Sequence, residues 1–124
     1  MKFNWKKKTS IFIGRFQPFH EGHFNLFLNA FKKNGQVAIL IMDSKGINKK
    51  NPFSFSKVKS IIQKRLKFFI GKYLILKIPV TQEIIYGRKV GYKIRKINLP
   101  DVMQKISATN IRKKLIYKKN EKNF

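Results

Sequence analysis

Three short apolar runs, SIFI from Ser10 to Ile13, VAILIM from Val37 to Met42 and YLILKI from Tyr73 to Ile78, are separated by stretches with helical periodicity. This alternation constrains the fold more than any other feature of the chain. Each run is rich in β-branched and aromatic residues and too short for a helix, the mark of a strand buried on both sides. Between the first two, Phe24, Phe27, Leu28 and Phe31 recur at helical spacing, which predicts a helix from Gly22 to about Phe31, ended by Asn34-Gly35. DSKGINKKNP reads as a polar loop. Ser54 or Ser56 can then cap a second helix whose inner stripe is Val58, Ile61, Ile62, Leu66 and Phe69, closed by Gly71. Parallel strands need a crossover of a dozen or more residues, so this order specifies a parallel sheet. Its site belongs at the carboxyl ends of the strands.

Further along, Glu83 to Tyr86 reads as a short fourth strand, and Tyr92 and Ile94 alternate, with Ile97 three residues on, as a fifth with one wetter face. In MQKISATNIRKKLIY, Ser107 or Thr109 can cap a last helix with Ile111, Leu115 and Ile116 on its inner face. Residues 1–8 form a basic N-terminal segment, and 118–124 a frayed tail. With 124 residues, 43% of them hydrophobic, the chain suits one core and is too short for two ordinary ones. The expectation is a single α/β domain over 1–124, with a mostly parallel five-stranded sheet and helices on both faces.

Lys and Arg total 29 against 5 Asp and Glu, a formal charge of +24 that draws anions towards the surface. Nucleic acid, nucleotides and phosphorylated metabolites all qualify. Lys, Asn, Ile and Phe are abundant throughout, so a coding bias towards A and T accounts for the charge equally well. The absence of cysteine excludes disulfides and thiolate metal sites. The first apolar run stops at Arg15, too early for a secretory signal, and nowhere do about eighteen apolar residues run together as a membrane span requires. A cytoplasmic location without a membrane partner is expected.

The only two histidines, His20 and His23, fall in IFIGRFQPFHEGH, the segment leaving the first strand and entering the first helix. Backbone N–H groups at such a helix start favour an anion. Gly14 lets the chain turn, Arg15 and the histidines can converge on one pocket, and Gly22 leaves space for a phosphate to approach the backbone. Two imidazoles beside phosphate oxygens can donate hydrogen bonds to the charge that builds during in-line attack. An isolated HxGH motif is more often an ordinary turn than a catalytic site, so the surrounding residues decide.

Those residues form GRFQPFHEGH, which resembles the HxGH signature of the nucleotidyltransferase superfamily. It takes the form seen in archaeal-type nicotinamide-nucleotide adenylyltransferases and cytidylyltransferase-like proteins. ISATNIR, from Ile106 to Arg112, resembles the second signature, ISSTxIR, and NPFSFSK resembles the Asn-Pro-Phe-Ser/Thr loop of the adenylyltransferase branch. The three matches keep the family's order and span most of the chain. The resemblance implies a Rossmann-like domain in which His20, His23 and Arg112 are catalytic. It also implies that Gly14, Arg15, Phe16 and Gly22 line the nucleotide pocket, while Ser107, Thr109 and Arg112 hold the β- and γ-phosphates. A Ser/Thr pair with an arginine at a helix start independently suits a triphosphate tail. Ala108 departs from the pattern, removing a hydroxyl that many members have.

In YGRKVGYKIRK, Arg88 can meet a phosphorylated acceptor or belong to a solvated basic loop. Asn51 in the NPFS loop is a second candidate on the acceptor side, although Phe53 and Phe55 can equally staple the next helix to the core. Trp5 precedes the first strand and is not assigned to base stacking. The acidic residues are not clustered, so no protein-held metal site is expected, and Mg²⁺ would ride on the phosphates of ATP or CTP. No covalent intermediate is expected. The expected reaction transfers a nucleoside monophosphate, AMP before CMP, from ATP or CTP to a small phosphorylated acceptor and releases pyrophosphate. A basic nucleic-acid-binding module on an inactive fold of this kind is the alternative, and a homo-oligomer would offset the small size.

Overall fold

In the computed structural model, residues 2–43, 51–87, 94, 95 and 97 are described. Strand β1 (Ser10–Gly14) leads through helix α1 (Glu21–Asn34) to β2 (Val37–Met42), then through helix α2 (Phe55–Arg65) to β3 (Tyr73–Ile78). The strands form a parallel sheet in the order β1-β2-β3, with Phe12 opposite Ile39 and Ile39 opposite Ile75.

Alternation along the strands gives the sheet one packed face. Val37, Ile39 and Ile41 of β2 are almost fully buried, and they join Phe27 and Ala30 of α1 with Val58 and Ile62 of α2 in a single core. Burying each of the larger side chains stabilises the fold by roughly 1.5–3 kcal/mol. Phe69 closes this core by meeting Phe24, Phe27 and Phe31 edge-on. Both helices therefore cover the same face. Right-handed crossovers between sequentially adjacent strands put them there; the last helix, which the sequence leads one to expect, lies outside the described residues. On the opposite face Ile11 and Leu76 are exposed among the described residues.

The helix ends follow local chemistry. α1 runs one turn beyond Phe31 and stops at Gly35, whose left-handed φ of 76° lets its N–H reach the carbonyl of Phe31. Ser54 caps α2 by accepting from the N–H of Lys57. α2 ends at Arg65, earlier than its apolar stripe suggests, because residues 67–69 tighten into a 3₁₀ turn that keeps the same three-residue spacing. The expected fourth strand is absent: residues 83–86 have no regular structure, and Ile84 and Ile85 are exposed. Three strands, not five, make up the described sheet, and the expected fifth strand and last helix fall largely or wholly outside the described residues.

Candidate active site

The carboxyl end of β1 and the start of α1 bring Gly14, Arg15, Phe16, His20, Gly22 and His23 into one segment. Gly14 ends the strand, and a Cβ there would lie 2.8 Å from Cζ of Phe16. Phe16 itself adopts a left-handed φ of 52° and is buried against Phe12 and His23, with ring centroids 5.1 and 5.0 Å away. A non-glycine residue in that region carries strain of about 1 kcal/mol or more, offset here by burial of the ring. The Gln17-Pro18 peptide is cis. Arg15 is exposed.

His20 is the N-cap of α1. Its Nδ1 accepts from the N–H of Gly22 at 3.0 Å and, more weakly, of His23 at 3.4 Å, while Nδ1 of His23 accepts from the N–H of His20 at 3.1 Å. This is a capping box built from two imidazoles. Because each Nδ1 is an acceptor, each neutral ring must carry its proton on Nε2. The rings stack at 3.8 Å, and His23 also stacks on Phe19 at 5.5 Å. Burial, and then the neighbouring His20, push the His23 pKa down to about 3. Burial also lowers that of His20, against an opposing pull from Glu21. At neutral pH the pair is therefore uncharged, offering two Nε2–H donors at the positive end of a helix dipole. The N–H groups of Gly22 and His23 are turned towards His20, so an anion at this helix start meets imidazole edges rather than those amides.

A second loop is clipped to this segment. Gln17, only 4% exposed, donates from Nε2 to the carbonyl of Phe53 and accepts from its N–H, both at 2.9 Å. The Asn51–Phe53 loop is thereby fixed beside the GRFQP turn, and Asn51 is buried within it. Glu21 forms a two-pronged ion pair with Arg65 at 2.8 and 2.9 Å, tying α1 to α2, and that contact holds its carboxyl below the usual range. The Arg65 guanidinium also lies 3.5 Å above the Phe24 ring. Sequence reasoning missed Gln17 and the capping role of His20. A glutamine flanked by Phe16, Pro18 and Phe19 was the available signal.

Arg88, Ser107, Thr109 and Arg112 lie outside the described residues, so the ISATNIR segment is not placed against the histidines. Among the described residues no three His, Asp or Glu groups come together in a way that could hold a metal ion. None of the described helices is long and apolar enough to cross a membrane.

A family model described as cytidylyltransferase-like matches residues 11–65, the stretch that carries both histidines and the NPFS loop. Among solved structures, two of a bifunctional NMN adenylyltransferase/ADP ribose pyrophosphatase from Francisella tularensis are similar, one of them complexed with AMP and a Mn ion. Each is 35% identical, with a TM-score of 0.55 over 59% of this chain. The match covers 23% and 22% of those longer chains, so this chain spans under a quarter of their length. No curated protein matches. Residues 11–65, with the HxGH segment and the clipped NPFS loop, are thus similar to the cytidylyltransferase-like family and to an adenylyltransferase of known structure.

Proposed function

We propose that the protein transfers a nucleoside monophosphate, AMP in preference to CMP, from a nucleoside triphosphate to a small phosphorylated acceptor. An acceptor phosphate oxygen attacks the α-phosphorus, the bond from that phosphorus to the bridging oxygen breaks, and pyrophosphate leaves with the electron pair. The locked imidazole pair carries this reading. Two neutral Nε2–H donors, held by the backbone of α1, can bind the negative oxygens of the triphosphate and strengthen those bonds as charge develops. Because the rings are held before substrate arrives, little reorganisation is needed during the reaction.

In this reading His20 and His23 stabilise the reacting phosphate, and Gly14, Arg15, Phe16 and Gly22 line the nucleotide pocket. Ser107, Thr109 and Arg112 hold the departing β- and γ-phosphates, while Asn51 and Arg88 face the acceptor. Mg²⁺ enters with the triphosphate as its counter-ion, held mainly by the nucleotide's own phosphates. The preference for AMP is supported by the adenylyltransferase named among the similar structures, and the nicotinamide mononucleotide of its name is the first acceptor to try.

Pyrophosphate release tests the proposal. ATP and CTP are each supplied with Mg²⁺ and a panel of phosphorylated acceptors, including nicotinamide mononucleotide and phosphorylated alcohols and sugars. Acceptor-dependent release with ATP, lost in His20→Asn, is the expected result. Release with neither nucleotide across the panel, from a protein that binds neither, would overturn it.

A further inference from the structure

The pole opposite the histidines, at the amino ends of the strands, displays the sole tryptophan on a turn. Trp5 sits at the apex of a turn in which the N–H of Lys7 donates to the carbonyl of Asn4 at 3.2 Å. The turn is clamped by Gln36, a side chain only 3% exposed at the α1–β2 junction. Its Oε1 accepts from the N–H of Asn4 at 3.1 Å, and its Nε2 donates to the carbonyls of Asn4 and Lys7 and to Oγ1 of Thr9. Despite this clamp the indole is 75% exposed, touched by the edge of Phe3 at 5.7 Å. An indole held out in water contributes little to folding. A buried amide has instead been committed to fixing where it stands.

Around it the charge is of one sign. Lys2, Lys6, Lys7 and Lys8 are exposed on the arm, and Lys32 and Lys33 on the last turn of α1. Lys7 links the two groups, because its Nζ would lie 2.7 Å from a Cβ at Gly35, the cap of that helix. The helix end supplies only about half a negative charge, too little to neutralise six ammonium groups. No acidic residue occurs from Lys2 to His20 or from Gly22 to Met42. The described ion pairs, Glu21 with Arg65 and Asp43 with Lys77, lie towards the carboxyl ends of the strands.

We propose that this pole binds single-stranded nucleic acid, with an unpaired base stacked on Trp5 and phosphates on the surrounding lysines. An aromatic platform within a basic surface is what such strands require: the ring takes any base, and the ammonium groups follow the backbone. A duplex would leave the indole unused, since its bases are already stacked. This surface is separate from the histidine pair and independent of the transfer chemistry.

Trp5 is its own probe, because it is the only tryptophan in the chain. Titration with a short oligouridylate should quench its fluorescence, whereas inorganic polyphosphate, which has charge but no bases, should not. With a fluorescein-labelled oligouridylate read by anisotropy, Trp5→Ala should bind about tenfold more weakly and Trp5→Phe close to wild type. Replacing Lys6, Lys7 and Lys8 by Gln should reduce the slope of log affinity against log salt by about two. Equal binding by wild type and Trp5→Ala would overturn the proposal. So would an indole that responds to vesicles of anionic phospholipid and not to the oligonucleotide.

Discussion

Acid should destabilise the protein through His23, whose ring the fold holds neutral. Its pKa falls from 6.5 in the unfolded chain to about 3 in the fold, so the folded state resists protonation. The neutral ring's contribution is complete above 6.5 and is lost as the pH drops through the interval down to about 3. Lowering the pH from about 8 to about 5 should remove about 2 kcal/mol, a figure governed by the unfolded pKa because the folded ring is still neutral there. Gln at this N3 position can accept the same N–H of His20 and complete an ordinary capping box without titrating. Urea unfolding followed by far-UV circular dichroism, at both pH values, compares wild type with His23→Gln. Wild type should lose about 2 kcal/mol more than the variant over this interval. Glu21, whose carboxyl is held low by Arg65, titrates below the interval and is common to both proteins. Identical pH dependence in the two proteins would mean that His23 is not held neutral in the fold.

Three further outcomes follow from the same contacts. His20→Asn keeps a good N-cap and should preserve stability while lowering turnover by orders of magnitude, whereas His20→Ala should also lose about 1 kcal/mol in thermal or urea unfolding. Gly14→Ala should cost about 1–3 kcal/mol in urea unfolding and weaken nucleotide binding by calorimetry, since its methyl would displace the buried Phe16 ring that packs on His23. Gln17→Ala should cost about 1–3 kcal/mol by removing both hydrogen bonds to Phe53, and hydrogen exchange should report increased opening of residues 51–53.

The strands were legible because a parallel sheet covered by helices demands continuous apolar runs, and Ser10–Gly14, Val37–Met42 and Tyr73–Ile78 match the expected segments within a residue. Ser54 and Gly35 were legible as caps because serine and glycine suit those backbone positions. The end of α2 was not, since Leu66 and Phe69 keep the same spacing in a 3₁₀ turn as in an α-helix. Nor does periodicity say on which face of the sheet a helix packs, which depends on strand order. At the site, the motif marked His20 and His23, but histidine is not a common N-cap and the reciprocal Nδ1 contacts appear only in three dimensions. The Gln17–Phe53 clip joins residues 36 positions apart, which no local pattern reveals.

In the proposed function, the paired Nε2–H donors bind a nucleoside triphosphate. Calorimetric titration of ATP and CTP with Mg²⁺ into wild type and His20→Asn, at low and moderate salt, tests it most directly. Saturable binding of one nucleotide, ATP, that persists at moderate salt and is strongly weakened in His20→Asn, whose helix cap is intact, is the expected result. Equal binding of both nucleotides by both proteins, fading together as salt rises, would contradict it.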